Sequence, residues 1–148
     1  MEKLSLRLLG AALALALSPL LFMHPVRISG RSMEPLLRDG ELHLAFRAWC
    51  AGPPSPGEVW LIHTATGPAV KRLMALPGSR VEIRDGELQV GGYPVPEPYV
   101  TRPERGSSGP WNTGGGYFLL GDNRQESHDS RAWGALPASQ LDGRLWVR

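Results

Sequence analysis

VEIRDGELQV, Val81 to Val90, is the stretch that decides the fold class. Asp85-Gly86 is a two-residue type I′ turn signal between two runs of alternating apolar and polar residues. Pairing outward from the turn sets Arg84 opposite Glu87, Ile83 opposite Leu88, Glu82 opposite Gln89 and Val81 opposite Val90. The apolar pairs then share one face and the charged pair takes the other, as in a half-buried antiparallel hairpin.

ELHLAF (41–46), EVWLIH (58–63), AVKRLMAL (69–76), YFLLG (117–121) and RLWV (144–147) read as further strands. With 148 residues, 18 Gly, 14 Pro and little helical periodicity after residue 24, the chain reads as one all-β antiparallel domain. The segment GGYPVPEPYVTRPERGSSGPWNTGGG (91–116) is too rich in Pro and Gly for regular structure over most of its length. A connection that long in a compact domain is functional or mobile.

The net charge of +2 and the absence of any basic run argue against nucleic acid as a partner. Cys50 is alone, which rules out an intramolecular disulfide and any CxxC site. The four histidines show no ligand spacing, so neither metal nor cofactor is expected.

The N-terminus differs in kind. Lys3 and Arg7 precede an uncharged apolar run, Leu8 to Met23. At 1.5 Å per residue that run covers about 24 Å, and snorkelling of Arg7 extends it to a thin membrane span. A cleaved signal peptide is the competing reading, but its Ala14-Leu15-Ala16 candidate lies inside the run and greasy sequence follows it. The expectation is one N-terminal transmembrane helix (1–24) in the cell membrane, single-pass. Residues 25–148 would then form an extracytoplasmic β domain, since Lys3 and Arg7 favour the cytoplasmic side. Trp49 and Trp111 suit either lipid contact or packing.

Three segments carry candidate chemistry: ISGRSMEPLL around Ser32, AVKRLMALPG around Lys71, and GDNRQESHDSRAWGALP, Gly121 to Pro137. Taken singly, each has a bland account: a turn serine, an edge charge, an Asx turn with an ion pair. Together they suggest a reaction. A serine hydroxyl is a weak nucleophile that needs a neighbouring base. Lysine serves only when neutral, so its pKa must fall from about 10.4 towards roughly 7–8, a difference of about 3–4 kcal/mol. Desolvation among Leu73, Met74 and Leu76 is the available means. The chain has just two lysines, Lys3 and Lys71, against fourteen arginines. Arginine stays protonated and cannot be the base, whereas it supplies charge next door at Arg72.

These segments resemble the boxes of the type I signal peptidases, membrane-bound Ser/Lys proteases. The first match is S-G-x-S-M-x-P (Ser29, Gly30, Ser32, Met33, Pro35) and the second K-R-x-x-x-L-P-G (Lys71, Arg72, Leu76, Pro77, Gly78). The third is G-D-N-R-x-x-S-x-D-S-R-x-W-G, Gly121 to Gly134. The resemblance implies an all-β, barrel-like antiparallel fold with a small lobe near residues 79–116. It implies Ser32 as nucleophile, Lys71 as general base and Ser127 as the hydroxyl that orients the amine. Asp129 and Arg131 would be the ion pair holding the third box, and Gly121, Asp122, Asn123 and Arg124 a structural turn. The Ser32 N–H would bind the oxyanion. Where some members place a second oxyanion serine, this chain has Gly30, so either the Gly30 main chain or another side chain completes the hole. Leu36 and Ser79 also depart from the usual Thr and Asp.

The implied partners are signal-peptide-bearing preproteins and membrane lipid. Rival readings are a related Ser/Lys maturation peptidase for a specialised cargo such as a conjugation pilus, a Ser-His-Asp hydrolase using His128 or His63, and a non-catalytic anchored β binding module. No G-x-S-x-G elbow supports the hydrolase.

Overall fold

The Asp85-Gly86 turn forms as its sequence dictates: the two residues have φ of 49° and 85°, and both must be positive in a type I′ turn. A computed structural model describes residues 10, 12 and 18–147. In chain order the strands are β1 (Met23–Arg27), β2 (Leu42–Arg47), β3 (Val59–Thr64), β4 (Gly67–Ala75), β5 (Arg80–Arg84), β6 (Glu87–Val90), β7 (Tyr93–Pro94), β8 (Ser108–Asn112), β9 (Phe118–Leu120) and β10 (Leu141–Leu145). Among the described residues the short helices α1 (Pro19–Phe22) and α2 (Ser130–Trp133) accompany them. The β5–β6 register pairs the same residues that the sequence pattern does.

Two antiparallel sheets result. One has six strands in the order β1-β2-β10-β3-β4-β9, and the other four in the order β7-β6-β5-β8. The long β4 feeds β5 through Leu76-Pro77-Gly78-Ser79, which joins the sheets. Three buried apolar clusters fill the interior. One gathers Val26, Ile28, Met33, Leu37, Ala45, Val59 and Leu145 around the turn after β1. A second is centred on Trp60, Ile62, Leu73 and Leu119, and a third couples Met74 and Phe118 to Val81, Ile83 and Leu88 of the smaller sheet.

Several expectations change. The large sheet is not closed into a barrel, because its terminal strands β1 and β9 do not pair. Instead it coils until β1 and the first residues of β4 line one cavity of about 260 Å³. Among the described residues both strands present free edges: β1 pairs only with β2, and β4 pairs with β9 only from Arg72 onward. The segment 91–116 contains β7 and β8, each an edge strand. That position tolerates Pro94 and Pro110, which lack the N–H an interior strand would need. Likewise β1 holds Pro25 and lies at an edge. The last strand ends at Leu145 rather than Val147, although the Trp146 N–H still donates to the Leu44 carbonyl at 2.8 Å.

The expected transmembrane helix falls largely outside the described residues. Its expected end at residue 24 moves back, since Met23 and His24 belong to β1. Among the described residues no helix is long and apolar enough to cross a membrane.

Candidate active site

Ser32 sits in the turn between β1 and β2. Met33 and Leu37, 2% and 0% exposed, plug the turn into the core, and the Leu37 N–H donates to the Met33 carbonyl at 3.0 Å. At its base Gly40 N–H donates to Ile28 O, and Ile28 N–H to Glu41 O. The hydroxyl is thus displayed on a rigid loop at the mouth of the cavity lined by β1 and β4.

Lys71 lies on β4, opposite Trp60 of β3, and is 4% exposed. Its Nζ is 2.6 Å from Ser32 Oγ. Burial is the main influence on the amine and lowers its pKa from 10.5 to about 8. The Asp129 carboxylate opposes that fall and Arg131 assists it, so the pair's two charges work against each other at the amine. Leu73 and Met74 are buried as the desolvation argument requires, whereas Leu76 is 39% exposed.

The third box closes the site from behind. β9 is followed at once by Gly121, where an added Cβ would come within 2.2 Å of Ser127 Oγ and 2.6 Å of the Ser32 carbonyl oxygen. Only glycine lets this strand end approach the serine turn so closely. Next to it, Asn123 N–H donates to Ser32 O at 3.0 Å, and Asn123 Nδ2 to Arg31 O at 3.2 Å. Asp129, 1% exposed, accepts from Arg131 Nε at 2.8 Å and Nη2 at 2.9 Å, from Gly121 N–H at 3.0 Å, and caps α2 through Arg131 N–H. Burial alone would raise its carboxyl pKa, but these donors outweigh burial and hold it below the usual value.

Two expected roles look different in place. Ser127 Oγ is buried and makes no hydrogen bond among the described residues. The expected bond to the Lys71 amine is therefore not formed; the hydroxyl is packed against Gly121 instead. Gly30, with φ of +86°, donates its N–H to Asp39 Oδ1 at 2.8 Å, so that donor is already engaged. The Ser32 N–H, by contrast, has no acceptor among the described residues.

Other contacts were illegible in the sequence. Arg72, read as a plain positive charge, is 8% exposed and clamps Asp122 with bonds of 2.8 and 2.6 Å. It also donates to Gly57 O and lies 4.0 Å above the Tyr99 ring. The loop after β7 returns to the site at three points: Glu97 binds the buried Arg124, Tyr99 covers Arg72, and Glu104 accepts from Arg131 at 2.9 Å. Partners 27 and 50 residues apart leave no local signal. Trp111 packs on Phe118 at 5.4 Å between ring centroids, while Trp49 is 68% exposed beside Phe22 at 5.5 Å. Among the described residues no three His, Cys, Asp or Glu side chains converge as metal ligands would.

An open two-sheet β fold that buries a lysine against a turn serine has the arrangement of a Ser/Lys hydrolase site. The whole chain, residues 1–148, matches the family model for signal peptidase, peptidase S26, and the chain belongs to that family. It is similar to signal peptidase IB of Staphylococcus aureus strain Mu50, with 32% identity over 84% of this chain and 76% of the relative. It is also 30% identical to a signal peptidase I of Leptolyngbya laminosa, over 97% of this chain and 77% of the relative. A crystal structure of a signal peptidase I from Enterococcus faecalis V583 superposes with a TM-score of 0.56 at 26% identity, covering 65% of this chain and 99% of that one. The antiparallel fold is thus a signal peptidase fold, and the protein is a hydrolase that removes signal peptides from preproteins.

Proposed function

We propose that Ser32 is the nucleophile and Lys71 the general base, in a peptidase held in the cell membrane by its N-terminal apolar segment. The observation that carries the dyad is the 2.6 Å separation of Lys71 Nζ and Ser32 Oγ, with the amine buried and its pKa lowered to about 8. At that pKa a useful fraction of amine is neutral near pH 7 and accepts the hydroxyl proton. Ser32 Oγ then attacks the scissile carbonyl, and the unengaged Ser32 N–H donates to the oxyanion. Collapse of the tetrahedral intermediate expels the new amino terminus, which takes the proton from Lys71. Water, deprotonated by the same amine, hydrolyses the acyl-enzyme. Asp129 and Arg131 hold the third box against the site. The chemistry needs no metal or cofactor.

The preprotein lies as an added strand in the groove between β1 and β4, whose free edges offer main-chain hydrogen bonds. Val26, Ile28, Met33 and Val70 shape shallow apolar pockets for small side chains before the cut. The β domain, residues 25–148 with its small lobe near 79–116, sits on the extracytoplasmic side. Exposed Leu21 and Phe22, at the end of the apolar segment, and Trp49 beside Phe22 suit the lipid interface.

The test is incubation of full-length protein with a precursor carrying an A-x-A site, followed by mass spectrometry. Wild type is expected to cut after that site and Ser32→Ala and Lys71→Arg to lose cleavage; retained processing by Lys71→Arg refutes the dyad. Amino-terminal sequencing of membrane-extracted protein tests the anchor, and a start at residue 17 or beyond would overturn it.

A further inference from the structure

The turn that carries Ser32 divides two cavities of similar size. Ser29, Gly30, Ser32 and Met33 face the groove between β1 and β4, whereas Arg31, Glu34 and Pro35 face a second cavity, also about 260 Å³. Arg38, Thr101, Arg102 and Asn123 complete that second wall. Asn123 ties it rigidly to the serine turn through its bonds to Ser32 O and Arg31 O.

The two cavities differ in chemistry. The first is lined mainly by apolar side chains, but the second holds three arginines against the single carboxylate of Glu34. Arg31 is partly satisfied by Glu34 at 3.2 Å and Glu126 at 3.7 Å. Arg38 and Arg102 are both exposed and neither forms a salt bridge among the described residues, the Glu41 carboxylate being bound by the Arg38 main-chain N–H and interacting with its charge only at longer range. Two guanidinium groups are thus available to a carboxylate that enters beside the serine turn.

A polypeptide cut at Ser32 must leave the nucleophile on both sides. The apolar groove takes the residues before the cut, which leaves the arginine cavity for those after it. An extended chain advances about 3.3 Å per residue, so its first three residues past the cut fall within about 10 Å of the serine. Resting on Ser32 as the nucleophile, we propose that Arg38 and Arg102 form a specificity pocket for the mature side of the substrate, selecting Asp or Glu within the first three residues after the cut. Since exposed charge pairs are individually weak and screened by salt, the selection is modest, roughly tenfold for an acidic over a basic sequence.

The experiment uses full-length protein in detergent and three peptides that share one A-x-A segment but continue Ala-Glu-Glu, Ala-Gln-Gln or Ala-Lys-Lys. The quantity read is the ratio of kcat/KM for the acidic peptide over the basic one, so a partial loss of folded enzyme cancels. Wild type is expected to give a ratio of about ten that shrinks severalfold from low to high salt. In Arg38→Gln/Arg102→Gln the ratio falls towards one, and in Arg38→Glu/Arg102→Glu it inverts. A wild-type ratio near one, or a ratio unchanged by charge reversal, overturns the pocket. If reversal instead spares the ratio but abolishes binding to phosphatidylglycerol vesicles, the cavity takes a lipid headgroup and the proposal is wrong. Cleavage of the neutral peptide that survives Ser32→Ala would sink the nucleophile itself, an outcome distinct from loss of charge selection.

Discussion

Replacing Lys71 by Met removes the amine while keeping an unbranched side chain of similar length. In the folded state the lysine pKa lies near 8 rather than 10.5, a difference equivalent to about 3 kcal/mol. Because the folded value is the lower one, the penalty of burying the cation is fully present below about pH 8. It fades as pH rises from 8 through 10.5, where the unfolded chain also loses its proton. Against this, Lys71→Met loses the 2.6 Å bond to Ser32, worth about 1 kcal/mol net. The variant is therefore expected to be more stable than wild type by about 2 kcal/mol at pH 7, with the advantage shrinking almost to nothing by pH 10. Urea unfolding of the full-length protein, followed by tryptophan fluorescence, reads this directly, since Trp60 is buried opposite Lys71. Other groups titrate in both proteins and cancel in the difference. A stability difference equal at pH 7 and pH 10 would mean that the amine is not desolvated, and the explanation of its basicity would fail.

In the wild type, kcat/KM is expected to climb about tenfold per pH unit below 7 and to level off above a midpoint near 8, as the Lys71 amine loses its proton; a midpoint near 10.5 would contradict this. Asp122→Asn leaves the buried Arg72 guanidinium without its counter-charge, so unfolding free energy is expected to drop by about 3–5 kcal/mol, measured by denaturant titration at pH 7.

What the sequence determined by itself is local or patterned. The β5–β6 hairpin follows from a turn dipeptide and a period of two, and both act over neighbouring residues. The choice of lysine at position 71 in an arginine-rich chain is legible because only one of the two side chains can lose its proton. The three boxes, by their order and spacing, pointed to the family. The tertiary structure alone decided what depends on distant partners. β1 could not be read because its apolar residues continue the N-terminal run, and β7 and β8 were masked by prolines that only an edge position permits. The burial of Arg72, and the return of Glu97, Tyr99 and Glu104 to the site, arise from packing between segments tens of residues apart. Ser127 and Gly30 make the same point at atomic scale: a motif names a residue type, but the folded geometry decides whether it meets a partner and which one. The division of the serine turn into an apolar side and a cationic side likewise exists only once the chain is folded, because residues adjacent in sequence there face opposite cavities.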